Sequence, residues 1–304
     1  MKVVREIAGS MVWLAAASLL AGACAPKPAP VVVPTQRAPA APALACEEVA
    51  GLGALFAPGG GVLFGEMHGT EQSPAFVANA VCLALSAGLQ VTMALEIPRE
   101  ETSRVDVFLA SAGGEKDREA LLAGPFWRAD YQDGRRSQAM FALLERLRQF
   151  HRDGKPVRAE LLDRAVQTPT SAERDRRLAE ALGEAFDKTP DGVVIGLLGD
   201  VHTRVRGGVP WDPNYVTAGS LLLQQKPELR LTTLLVSYRG GEAWICLTAE
   251  ASSCQIRSVK GRAGAQADGI EIFPEITNGH NGVYYVGDLH ASPPMVAANL
   301  QPRP

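Results

Sequence analysis

The sequence has no run of lysine or arginine, and its formal net charge is only -3 over 304 residues. It therefore offers no electrostatic footprint for nucleic acid. It contains no Cys-x-x-Cys pair and no cysteine and histidine spacing of the zinc-knuckle kind, although five cysteines are present. No apolar stretch is long enough to cross a bilayer and stay there. The N-terminal apolar run, residues 11–20, is about half of what a spanning helix needs.

What is present at that end is ordered like an export signal. Lys2 and Arg5 precede the apolar run and small residues follow it, so residues 1–23 read as a signal peptide. The stretch Leu20-Ala21-Gly22-Ala23-Cys24 resembles the bacterial lipoprotein processing site, in which the cysteine becomes the acylated N-terminus; Ala21 stands where the commonest form has leucine. That resemblance implies lipidation at Cys24 and a place in the bacterial cell envelope, anchored to a membrane by the lipid. A plain signal peptide cleaved near Ala23 is the alternative. Residues 24–45 are dominated by proline and alanine, cannot build a core, and read as a tether in extended geometry. Residues 46–304 are long enough for one large α/β domain or two small ones, and one is the preferred reading.

Beyond Cys24 the cysteines number four, an even count that suits an oxidising compartment. Cys246 and Cys254 flank a short turn and suit a bridge across a hairpin. Cys46 with Cys82 follows by elimination, unless Cys82, set among Val81, Leu83 and Leu85, is a buried thiol.

From Cys46 onward, strand and helix patterns alternate, which predicts a mostly parallel sheet flanked by helices. Residues 62–64, 90–95, 157–162 and 193–198 read as strands. Ser73 with Pro74 after it predicts a helix start, residues 100–112 and 137–153 read as helices, and Thr170 with Glu173 forms a capping box for another. Residues 231–238, 242–248 and 255–259 are separated by short turns, among them Arg239-Gly240-Gly241, and read as an antiparallel C-terminal extension. Residues 113–136 form an irregular insertion holding Phe126, Trp127, Tyr131, Arg135 and Arg136. It is either a lid able to grip a flat anionic ligand or, the simpler reading, a loop packing its aromatics on the domain.

Three of the strands end in reactive residues. Gly65-Glu66-Met67-His68 follows the first, Glu96 the second, and Gly199-Asp200-Val201-His202 another of the same kind. In open α/β sheets the ligand site lies beyond the carboxyl ends of the strands, so these side chains are expected to converge in one crevice. Two histidines with one or two carboxylates could hold a divalent metal with an open position, or move protons near neutral pH. Asp163 and Asp200 share that end but could equally be satisfying loose backbone groups.

Taken with Arg99 after Glu96, and with Gly208-Val209-Pro210 after the second histidine motif, this pattern resembles the ChaN/Tiki superfamily, which takes in TraB-like and erythromycin-esterase-like proteins. The resemblance covers roughly residues 46–213. It implies an α/β fold and a site of Glu66, His68, Glu96 and His202, with Arg99 stabilising developing negative charge. ChaN-like members are iron-related lipoproteins that bind haem, Tiki-like members are metal-dependent proteases, and esterase-like members use a histidine to activate water. The lipoprotein-like start and the Gly-Val-Pro segment favour the ChaN-like branch, with haem or iron as ligand and Tyr215, Tyr131 and Trp127 as possible contributors beside Phe126. The alternative is a metal-dependent hydrolase acting on a small-molecule ester, amide or peptide bond. A third match, Gly287-Asp288-Leu289-His290, reads as structural, His151 as a favourable charge at a helix end, and His280 as exposed.

Overall fold

Side chains of the central strands alternate between two separate apolar clusters, and this alternation is why helices cover both faces of the sheet. In this computed structural model, residues 44–165, 170–262 and 269–296 are described; the expected signal, the Cys24 lipid site and most of the tether lie outside them. Strand β1 (Gly60–Glu66) sends Val62 and Phe64 to one side and Leu63 to the other. Strand β4 (Val193–Gly199) divides Val193, Ile195 and Leu197 from Val194 and Leu198 in the same way. A strand buried on both faces reads as a continuous aliphatic run, which is how both are written. Each large side chain so buried stabilises the fold by roughly 1.5–3 kcal/mol.

Strands β2 (Val91–Pro98) and β3 (Val157–Asp163) complete the parallel core with the first part of β5 (Leu231–Cys246), in the order β3-β2-β4-β1-β5. The chain runs across the sheet one way from β1 to β3 and returns the other way to β5. Right-handed crossovers then require the intervening helices to change faces. Helices α1 (Gln72–Ser86), α2 (Thr102–Ala110), α3 (Glu115–Leu122) and α4 (Gln138–Arg152) contribute to one cluster. Helices α5 (Ser171–Asp187) and α6 (Ala218–Gln225) contribute to the other. Among the described residues no helix is long and apolar enough to cross a membrane.

Helix starts are set by side-chain caps. Ser137 accepts from the Met140 N–H at 3.2 Å, and Thr170 accepts from the Glu173 N–H at 3.1 Å at the expected helix start, while the Glu173 carboxylate bonds to Arg176 and Arg177 instead of closing the box. Ser73 does not cap its helix: α1 begins earlier, and buried Ser73 meets the Tyr284 hydroxyl at 3.0 Å instead. The insertion at 113–136 is not wholly irregular, because α3 lies within it.

The largest departure is at Gly240 and Gly241. They are not a turn; β5 continues through them as one sixteen-residue strand. Their φ values of 143° and 128° belong to a region that essentially only glycine reaches, so the pair bends an extended chain rather than reversing it. Beyond the bend β5 pairs antiparallel with β6 (Cys254–Arg262), and Cys246 faces Cys254 across the ladder, where the two are bonded. Cys46 and Cys82 form the second disulfide, tying the segment before β1 to α1. Strand β8 (His280–Tyr285) lies parallel to β5 and antiparallel to β7 (Gly269–Thr277), and short β9 (Asp288–Leu289) pairs with the bent part of β5.

Candidate functional site

The register of the parallel core places Glu66 opposite Gly199 and Leu95 opposite Leu197, so the ends of β1, β2 and β4 lie at one level. There the chain forms a crevice of about 510 Å³ that holds Glu66, His68, Glu96 and His202 together with Arg135 and Arg174. A larger hollow, about 990 Å³, lies between α1, α4 and residues 45–50, and none of the strand-end histidines or Glu96 lines it.

His68 follows β1 by two residues. Its Nδ1–H donates to Glu66 Oε1 at 2.9 Å, which turns Nε2 toward the crevice, 3.5 Å from Glu96 Oε2. Glu66 is only 3% exposed, whereas the His68 side chain is 23% exposed and reachable. Burial alone pushes the imidazole down, but Glu96 and then Glu66 outweigh it and hold the His68 pKa up at about 10. The next residue, Gly69, has φ 78°, and a Cβ there would collide with the Trp244 carbonyl. The Gly69 carbonyl accepts from the Trp244 N–H at 2.9 Å, so the β5–β6 hairpin grips the histidine turn directly.

A second histidine and carboxylate pair sits opposite. His202 Nδ1–H donates to Asp175 Oδ1 at 2.8 Å, and Nε2 accepts from Arg174 Nη1 at 2.8 Å. Because arginine can only donate, Nε2 carries a lone pair there. Asp175 is fully buried and also accepts from the Ala218 N–H and the Tyr215 hydroxyl, each at 2.8 Å. Burial and that carboxylate push the Tyr215 hydroxyl up to about 12.

Glu96 joins the two halves. One oxygen accepts from the Gly199 N–H at 2.7 Å; the other meets Arg135 at 3.3 Å and Arg174 more closely still. Burial alone would raise its pKa, but His68 and Arg174 hold the carboxyl well below the usual range. Asp163 accepts from Arg135 and Arg174, both at 2.7 Å. Asp133 accepts from Arg135 at 2.5 Å and from Arg136 at 2.8 Å. Asp200 stands at the rim, paired with Arg262 at 2.8 Å.

Several expected contributors lie elsewhere. Arg99 bonds to Glu184 at 2.6 Å and to the Leu161 carbonyl at 3.1 Å, and does not line the crevice. After Pro98 the chain turns into the short helical turn Arg99–Glu101, which carries the guanidinium away; Arg135 and Arg174 occupy the place expected for it. Trp127 is 1% exposed and packs edge-on against Phe126 and Phe141, inside the core. Tyr131 donates to the Thr248 carbonyl at 3.2 Å, and Tyr215 faces Asp175 rather than a ligand. His280 is not exposed: it is buried against Thr203, and burial lowers its pKa to about 4. His290 bonds to Gln72 at 2.9 Å, away from the crevice.

This donor set does not fit a divalent cation. His202 Nε2 faces Arg174, and Glu96 is occupied by two guanidiniums and a backbone N–H, so a cation between them would meet positive charge. Among the described residues no group of three His, Cys, Asp or Glu side chains is arranged to hold a metal ion. Haem fits no better. It needs an axial ligand and an apolar pocket, whereas this crevice is lined by four carboxylates (Glu66, Glu96, Asp133, Asp200) and three guanidiniums (Arg135, Arg174, Arg262).

No protein-family model matches the chain, and no curated protein matches it. Solved structures do. A mutant erythromycin esterase in its open conformation aligns with a TM-score of 0.56 at 9% identity, covering 80% of this chain and 93% of that one. A succinoglycan biosynthesis protein aligns with a TM-score of 0.52 at 8% identity, covering 80% of this chain and 90% of that one. The likeness is one of fold.

Proposed function

We propose that this chain is a hydrolase of the erythromycin-esterase-like kind within the ChaN/Tiki superfamily, in which His68 moves the proton of an attacking water. The observation that carries this reading is the Glu66–His68 pair: a buried carboxylate orients an accessible imidazole so that its other nitrogen faces the crevice. That is how a histidine base is built, the carboxylate setting the ring and stabilising the imidazolium that forms. Water held between His68 Nε2 and Glu96 would give its proton to Nε2 as it attacks an ester carbonyl, and the imidazolium would return it to the leaving alcohol. The Arg135 and Arg174 guanidiniums, fixed by Asp133 and Asp163, give the carbonyl oxygen a positive field as it gains charge. The fold shared with an erythromycin esterase supports the same reaction class.

The test is hydrolysis of simple neutral esters by the full chain before and after exhaustive chelation. Turnover is expected to be unchanged by chelation. Turnover lost on chelation and restored by one divalent metal would overturn the metal-free reading, and no turnover with saturable haem uptake would overturn hydrolysis itself.

We also propose that the chain is exported and lipid-anchored through Cys24. The two disulfides support an oxidising compartment. The mass of the N-terminal peptide from expressing bacteria decides it: an acylated Cys24 is expected, and an unmodified terminus would sink the idea.

A further inference from the structure

The segment after the second histidine motif folds into a tight reversal that presents one side chain to the crevice mouth. Val209 and Asp212 exchange backbone hydrogen bonds at 2.9 and 3.1 Å, the Gly208 N–H donates to the Tyr215 carbonyl at 2.7 Å, and Pro210 and Trp211 occupy the tip. Trp211 is 71% exposed, yet it lines the same crevice as His68 and His202. The base of the reversal is tied to the site through Tyr215, which bonds to Asp175 beneath His202. The other indoles among the described residues are held differently: Trp127 is in the core, and Trp244 donates its ring N–H to the Gln132 carbonyl at 2.7 Å. A single exposed apolar side chain needs no explanation by itself. One at the mouth of a charged crevice, on a turn anchored to the site, does.

The crevice charges say what the tryptophan meets. Arg135 is paired with Asp133, Glu96 and Asp163, Arg174 with Glu96 and Asp163, and Arg262 with Asp200. Each guanidinium lining the crevice already has a carboxylate, so a phosphate, sulfate or carboxylate on the substrate would have to displace one. Asp163 adds a further carboxylate against two of these guanidiniums, so the crevice carries no surplus of positive charge for an anionic substrate. The volume of about 510 Å³ lies in the ordinary range for a small-molecule site.

We infer that Trp211 is a specificity-determining residue, and that the crevice takes neutral ring-bearing esters whose apolar face stacks on its indole. This rests on the hydrolase reading and adds the substrate class. The stacked face is either the C–H face of an acylated neutral sugar or an aromatic ring, since both offer an indole the same contact.

The probes are a peracetylated methyl glucopyranoside and phenyl acetate, each set against an anionic counterpart carrying a carboxylate. In Trp211→Ala, KM for one or both neutral probes is expected to rise about three- to tenfold, the range an aromatic stacking contact is worth, with kcat little changed. Trp211→Phe is expected to recover most of the loss. Which neutral probe responds tells the sugar face from the aromatic one. Binding is read apart from turnover by tryptophan fluorescence of the His68→Ala variant: neutral probes quench it saturably, anionic ones do not, and adding Trp211→Ala removes the response. An unchanged KM in Trp211→Ala, or tighter binding of the anionic probes, overturns the inference even if hydrolysis stands. Quenching that depends on Trp211 without turnover in the unmodified chain keeps the ligand class and removes the hydrolase. Neither quenching nor turnover with any probe overturns both.

Discussion

His68→Ala is expected to lower kcat/KM for ester hydrolysis by about 10²–10⁴-fold, the usual contribution of a positioned acid or base. Glu66→Gln keeps the shape but removes the charge that stabilises the imidazolium, and is expected to cost less. The pH profile is the sharper measurement. With the His68 pKa held up from 6.5 to about 10 by Glu96 and Glu66 against the pull of burial, the base form is scarce at neutrality. In the unmodified chain kcat/KM should therefore climb roughly tenfold per pH unit between pH 7 and 9 and level off near pH 10, because this parameter reports the free enzyme's essential base. Stability runs the other way. A group whose folded pKa lies above its unfolded value contributes fully below pH 6.5 and loses that contribution as pH rises through about 10. Rate and unfolding midpoint should diverge over the same window, and the divergence should vanish in His68→Ala. A flat or falling profile between pH 7 and 9 in the unmodified chain would remove His68 as the base.

Much of this site is legible in the sequence, and the part that is not has a physical reason. Glu66, His68 and His202 could be placed because each closely follows an aliphatic run long enough to be a buried strand, and Glu96 falls within the last residues of another; strand ends converge by topology alone. Arg174 and Asp175 could not be placed. They sit at the end of the first turn of α5 and just past it, where the Thr170 cap marks a helix start but not which side of the helix looks at the sheet. Their signal is nonetheless present: a helix entered soon after the acidic end of β3 starts at the crevice end, so an Arg-Asp pair near its start stands close to the strand ends. Arg135 was visible only as one arginine in an insertion whose orientation depends on the hairpin packed over it, through Trp244 and Tyr131. That hairpin was itself obscured, because two adjacent glycines read as a turn when their permitted φ range also allows a bend. Arg99 shows the converse error: nearness to Glu96 in sequence does not survive a proline and a change of direction.

Glu96 is where stability and activity pull against each other, and its replacement carries the largest expected structural effect. Glu96→Ala leaves the Gly199 N–H without its acceptor and removes a carboxylate from between two half-buried guanidiniums. Breaking a buried pair from one side costs at most about 3–5 kcal/mol, and less here because Asp133 and Asp163 still pair the guanidiniums; the loss is read as a lower urea midpoint at pH 7. Glu96→Gln retains an acceptor for Gly199 and should lose less. Because the folded pKa of Glu96 lies well below 4.5, the charge contributes fully above that pH and fades in acid, so unmodified chain and Glu96→Gln should draw together in stability as pH falls below 4.5. The kinetic consequence has the opposite sign. Glu96 heads the charges that hold His68 protonated, so in Glu96→Gln the imidazole should titrate lower and the rise in kcat/KM should move toward neutral pH. A profile that stays in place while the midpoint drops would make Glu96 a structural strut with no hold on the histidine. A profile that moves with it would mean the same carboxylate that holds the crevice together also sets the pH at which its base becomes free.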